Sequence, residues 1–292
     1  MRKYEDVITA YTIILLLIGI VGIFQSWSLA LTIFNFCLIS AVMTIGANIQ
    51  WGYAGLINFG IMGYTALGGL AVVLVNVPPV KEAWSVGGIS IIFCIVIISI
   101  IVLSIKYTLK KLKKSKKRNY IITSIIIIGL IILRIISAPA FESIESVDPA
   151  RTGFLGGLGL PILFSWIVGG FFAAGVAYVI GKVALGLRAD YLAIATLLIA
   201  EITVSIIKHE EWLARGVKNV IGLKKPVPYE RDLQSSDWFI YLVEKLYSSK
   251  LSLINSLSER QDFLNKLVIE SSSVFVKLCM ALLFLTVVII LL

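Results

Sequence analysis

Charge, histidine and cysteine are all scarce in this chain, and each scarcity removes a class of function. Only 15% of the 292 residues are Asp, Glu, Lys or Arg, against about a quarter in soluble domains, so the chain lacks the surface of a soluble protein. A single histidine, His209, and three cysteines inside apolar runs, Cys37, Cys94 and Cys279, support neither a zinc site nor a disulfide framework. No nucleotide-binding loop is present, because Gly181-Lys182 is followed by Val183 without the glycine spacing or the hydroxyl that cradles phosphates. Internal repeats, low-complexity tracts and paired carboxylates within the apolar runs are missing too.

What remains is apolar. Hydrophobic residues make up 59% of the chain and the mean hydropathy is +0.97, which marks a polytopic membrane protein. A hydrocarbon core of about 30 Å takes roughly 20 helical residues. On that ruler the sequence predicts an all-α, polytopic transmembrane bundle of about eight spans, near 7–24, 27–45, 61–77, 88–105, 120–137, 161–181, 191–207 and 274–292. The organisation expected is a transmembrane core over 1–207, an external polar and amphipathic segment over 208–273, and a last span over 274–292. Arg2 and Lys3 precede an apolar stretch as in a secretory signal, but the run is long and no small-residue cleavage site follows. A first transmembrane helix is expected there.

The formal charge of +9 does not point to nucleic acid, because the largest basic cluster, Lys106 to Arg118, lies between two apolar spans. Short loops rich in Lys and Arg stay in the cytoplasm. Counting outward from that loop places Arg2, Lys3 and the Lys182 to Asp190 turn inside, and residues 138–160, with Glu142, Glu145, Asp148 and Arg151, outside. Residues 208–273 fall outside by the same count. Within them Phe239, Leu242, Val243 and Leu246, then Ile254, Leu257, Leu264, Leu267 and Val268, recur at helical spacing. Such helices lie on the bilayer, on a partner, or on the protein's own external face.

The segment from Asn48 to Gly60, Asn-Ile-Gln-Trp-Gly-Tyr-Ala-Gly-Leu-Ile-Asn-Phe-Gly, is rich in glycine and amides and carries no charge. It predicts a broken helix near residues 46–60, since non-helical backbone at membrane depth persists only where protein or a watery cavity satisfies it. Asn48, Gln50, Gly52, Tyr53, Gly55, Asn58 and Gly60 are therefore candidates for lining a substrate path. Uncharged amides can bind a zwitterion without the desolvation cost of a buried ion. Gly63, Gly68 and Gly69 read equally well as helix packing. Glu201 is an ionisable residue inside a span, either on the path or paired with a neighbouring helix or subunit. Arg134 and Lys277 lie near span ends and can snorkel.

Trp51-Gly-Tyr-Ala-Gly-Leu-Ile-Asn-Phe-Gly60 resembles the Val-Gly-Tyr-Ala-Gly-Leu-Leu-Asn-Phe-Gly segment of the permease subunits of branched-chain amino acid ABC importers, the Liv type. Tyr64 to Gly69 is similar to the small-residue helix that follows it. A second stretch, Leu187-Arg-Ala-Asp-Tyr-Leu-Ala-Ile-Ala-Thr-Leu197 with Glu201, is similar to that family's Leu-Arg-Gly-Asp-Tyr-Phe-Ala-Ile-Ala-Thr-Leu followed by Gly-Glu. Arg188 and Asp190 are the charges of this motif, at the cytoplasmic end of their span, where they anchor the helix or pair with each other. The resemblance covers roughly residues 27–223. Ile61 replaces the family's histidine, Ala200 replaces its glycine before the glutamate, and Arg215 to Gly222 replaces its Thr-Gly-Gly turn.

The resemblance implies an ABC importer permease carrying branched-chain or related hydrophobic amino acids, not an enzyme and with no cofactor of its own. It implies a second permease subunit, two cytoplasmic ATPase subunits that use the ATP, a periplasmic amino-acid-binding protein, and a bacterial inner membrane. No basic-acidic coupling segment of the family's type occurs before Leu292, so an incomplete permease is expected. A urea or short-amide permease, an ion-coupled transporter or channel, and a non-transporting scaffold subunit remain open.

Overall fold

A computed structural model describes every residue except 1, 113, 114, 150, 151, 185, 253 and 255, and only the backbone of residues 2–7. Lys113, Lys114 and Arg151, and the side chains of Arg2 and Lys3, thus lie outside the described residues. The described chain is helical, with no strand. Its helices are α1 (Arg2–Phe24), α2 (Trp27–Asn48), α3 (Ile61–Asn76), α4 (Lys81–Ala83), α5 (Ile89–Lys111), α6 (Lys116–Ser146), α7 (Ile162–Ala184), α8 (Ala189–His209), α9 (Glu211–Ala214), α10 (Glu230–Gln234), α11 (Asp237–Leu246), α12 (Ser248–Leu251) and α13 (Leu257–Leu291). Two π-helical turns, Ile49–Tyr53 and Trp84–Gly88, extend α2 and join α4 to α5.

Among the described residues, six stretches are long and apolar enough to cross a membrane: Trp27–Tyr53, Lys81–Lys111, Lys116–Ser146, Ile162–Ala184, Ala189–His209 and Leu257–Leu291. This is a multi-pass membrane protein. The expected count of about eight is not reached on length, because the apolar helices Ile8–Phe24 and Ile61–Asn76 are shorter. At 1.5 Å per residue, the 16 residues of α3 rise about 24 Å, less than the hydrocarbon thickness. In contrast α13, at 35 residues, rises about 52 Å, so residues 257–273 and the apolar run after them are one helix.

The chain forms two compact units, residues 1–57 with 225–292, and residues 58–224. In the first unit α1 precedes α2, and Ser26 separates them: its backbone is extended and its Oγ accepts from the Leu29 amide at 3.2 Å, satisfying a donor at the start of α2. Leu38 of α2 is buried with Ala281 and Val288 of α13. The first half of α13 carries α10 and α11: Leu233, Phe239 and Val243 pack against Leu267, Val268 and Val276. These amphipathic helices therefore cover the protein's own α13, although Trp238, Tyr241 and Leu246 stay exposed.

In the second unit α3 packs between α7 and α8, and α5 pairs with α6. Small residues set these distances. A Cβ on Gly63 would stand 2.9 Å from Ala200 Cα, and one on Gly169 3.3 Å from Gly68 Cα, so backbones approach as closely as membrane helices do at small-residue contacts. Beyond α3 a strap over residues 154–160 satisfies carbonyls the helix end leaves unpaired. Leu158 N donates to Leu74 O at 3.0 Å, and Leu160 N to Val75 O at 2.9 Å. Val73 O and Leu74 O occupy the position a side chain on Gly157 would take, which requires glycine there. Asn76 is fully buried, its Nδ2 donating to Leu160 O at 3.1 Å and its Oδ1 accepting from Lys224 N at 2.8 Å.

Candidate functional site

The α-helical ladder of α2 runs to Asn48 and widens into the π turn Ile49–Tyr53, closed by the Ala54 amide on Ile49 O at 3.2 Å. One further bond, Leu56 N to Gln50 O at 3.0 Å, ends the regular structure. Gly55 has φ of +65° with open space around it. An L side chain there would be strained by its backbone alone. Asn48, Gly52, Tyr53 and Gly55 are exposed and Gln50 is half-buried. Asn48 Oδ1 stands where a Cβ on Gly52 would be, so a larger residue at 52 displaces that amide. These five candidates belong to the first unit.

Asn58 and Gly60 belong to the second unit, where the non-helical chain is held against α8. Asn58 Oδ1 accepts from the Gly60 amide at 2.7 Å, a turn made by the side chain over its own backbone. The Phe59 amide donates to Thr196 Oγ1 at 3.2 Å, while that hydroxyl donates to Ala193 O at 2.9 Å. Gly60 is buried, and a Cβ on it would meet Thr196 O at 3.0 Å. One hydroxyl on α8 thus holds the unwound backbone that leads into α3. Thr196 was not singled out from the sequence. Its signal was available, a hydroxyl residue within the second motif at the middle of an apolar span.

The two stretches that carry the family resemblance therefore touch, 137 residues apart in the chain. Between them a void of about 10 Å³, lined in part by Gly60, Gly63, Tyr64, Thr196 and Ala200, has room for about one water. It is not a chamber for an amino acid.

Glu201 is exposed, about 100° around α8 from Ala200, and does not line that void. Arg188 and Asp190 are exposed as well and form no ion pair among the described residues. Arg188 supplies the extended residue that starts α8, and Asp190 sits in its first turn, where a carboxylate suits the positive end of the helix dipole.

Two polar clusters lay outside the sequence-based candidates. Between α2 and α13, Lys277 Nζ donates to Ser28 Oγ at 2.5 Å and to Ser28 O at 3.2 Å, and Asn35 Nδ2 donates to Lys277 O at 3.0 Å. Ser28 and Ser273 hydroxyls lie 3.0 Å apart in the same seam. Lys277 is tied to a neighbouring helix as well as near a span end. At the far end of α6, Glu145 Oε1 accepts from the Trp212 amide at 3.2 Å, and the Trp212 ring stacks on Phe141 with centroids 4.3 Å apart. No group of His, Cys, Asp and Glu among the described residues could hold a metal ion.

No protein-family model, curated protein or solved structure matches the chain.

Proposed function

We propose that this chain is the permease subunit of a bacterial ABC importer for branched-chain or related hydrophobic amino acids, working in the inner membrane. One observation carries the proposal most: the unwound segment at Asn58 to Gly60 is bonded to Thr196 of the second motif. Two similarities far apart in sequence thereby become one piece of structure. An uncharged break of this kind offers amide and backbone groups to a zwitterion, with no buried ion to desolvate.

Transport on this account is alternating access, with ATP bound by separate ATPase subunits biasing two packings of the helices. The chain supplies the path and its partners supply the energy and the capture of substrate. A second permease subunit and an external amino-acid-binding protein complete the assembly. The test is uptake of labelled leucine into proteoliposomes holding this chain with its co-encoded permease, ATPase and binding-protein partners. Uptake that requires ATP and the binding protein supports the proposal. Uptake that persists without any ATPase, driven by an ion gradient, contradicts it.

A further inference from the structure

Residues 106–118, across the turn from α5 to α6, hold eight Lys and Arg, and no Asp or Glu occurs anywhere between Glu82 and Glu142. Both helices are long and apolar enough to cross a membrane, and the turn lies where these two stretches end and begin. Beyond their contact with each other, α5 and α6 pack at their far ends, against α4, α9 and the π turn Trp84–Gly88. No cation of the turn forms an ion pair among the described residues. The charge here is thus left for something outside the chain to balance.

Beside the basic end an uncharged groove of about 360 Å³ runs between the two helices, lined in part by Ile97, Ile100 and Ser104 of α5 and by Ile125, Ile128 and Ile132 of α6. Gly129 deepens it, because a Cβ there would strike Ile101. Helical spacing continues its walls onto two cations: seven residues, about two turns, carry Ser104 forward to Lys111 and Ile125 back to Arg118 on the same faces. Lys111 Nζ donates to Tyr107 Oη at 3.0 Å, and Arg118 Nη1 donates to Leu112 O at 3.5 Å. Arg118 Nε is enclosed and has no acceptor among the described residues. Tyr107 and Tyr120 are exposed at this level, where tyrosine favours the boundary between headgroups and hydrocarbon.

We propose that the α5–α6 hairpin binds an anionic phospholipid, with an acyl chain along the groove and the phosphate held by Lys111 and Arg118. Phosphate oxygens accept from guanidinium and ammonium groups in short, charge-assisted bonds, and a basic pocket between membrane helices suits such a headgroup. The apolar wall and the cations above it match the two halves of one lipid molecule. An apolar helix of another subunit would fill the groove but leave the cations unbalanced. The site stands on this hairpin alone and does not depend on what is transported.

The test uses the full chain purified in detergent, with native mass spectrometry reading the lipid it retains. Dioleoyl phosphatidylglycerol and dioleoyl phosphatidylcholine, alike in their chains and different in net charge, are offered at equal concentration. The chain should retain phosphatidylglycerol in preference, and glycerol phosphate without acyl chains should not displace it. Lys111→Gln with Arg118→Gln should weaken that retention about thirtyfold, the effect of two basic residues at a membrane surface. Lys106→Gln with Lys116→Gln removes the same charge from positions about 200° around each helix from Ser104 and Arg118. That pair should weaken retention by about threefold at most, as for screened surface charges. Ile128→Trp, at an exposed position of the groove, should lower retention with every cation in place. Equal retention of the two lipids, equal loss in the two charge-removing pairs, full retention in Ile128→Trp, or displacement by glycerol phosphate would each overturn the proposal. So would loss of the lipid when a second permease subunit is added, which would assign the groove to a protein helix.

Discussion

Two seams between membrane helices are built in opposite ways. In the second unit, α3 meets α8 and α7 through Gly63, Ala200, Gly68 and Gly169, with backbones nearly in contact. In the first, α2 meets α13 through side-chain hydrogen bonds of Lys277, Ser28 and Asn35, with Leu38, Ala281 and Val288 filling the space beside them. Lipid gives helices no hydrophobic reason to associate, so close packing and polar contacts are the available sources of attraction. The difference teaches where change is tolerated: a close-packed seam fails by steric insertion, whereas a polar seam fails by loss of one bond at a time.

Substitution at each seam breaks that comparison differently. The largest effect is expected from Gly63→Leu, because even its Cβ would stand 2.9 Å from Ala200 Cα. Overpacking of this kind costs about 3 kcal/mol. Hydrogen exchange should rise in α3 and α8 while α2 and α13 keep their protection. Next, Lys277→Met keeps length and apolar bulk but removes the bonds to Ser28, at about 1–2 kcal/mol. Here the faster exchange should appear in α2 and α13 instead. Equal spread of either effect over both units would erase the distinction.

Smaller still is Thr196→Val, which removes the acceptor for the Phe59 amide and should cost about 1 kcal/mol. Its signature is faster exchange confined to residues 58–62 and, on the proposed function, a loss of uptake out of proportion to the loss of stability. At the bottom of the scale, Gly69→Ala has no atom within 4 Å of the added Cβ. Its unfolding midpoint in detergent should correspond to wild type within about 0.5 kcal/mol. A strong effect there would mean that α3 has a further neighbour.

The long apolar helices were legible, though not the count of about eight, because hydropathy is a local property: the run predicted over 27–45 lies within α2, and that over 120–137 within α6. The break was legible from Gly55 and Asn58, residues whose backbone and side-chain chemistry favour turns. The continuity of α13 was not. Its first half buries only a stripe against α10 and α11, so charges on its free side stop the apolar run near 274 while the helix continues. The polar seam was hidden for another reason, since Ser28 and Lys277 are 249 residues apart and neither forms a local pattern. Glu201 was visible as a charge in a span, but its exposure depends on which face of α8 the glycines of α3 occupy.

On the proposed function, the unwound segment around Asn58 lines a water-accessible path for substrate. The most direct measurement of this access is single-cysteine labelling in a background lacking the three native cysteines. Cysteines replacing Gly55, Asn58 or Gly69 are exposed to a small hydrophilic thiol reagent in membranes holding the chain with the partners proposed for it, with and without leucine. The account predicts that positions 55 and 58 react and that leucine protects them, while position 69 stays unreactive. Unreactive cysteines at 55 and 58, or labelling unchanged by leucine, would contradict it.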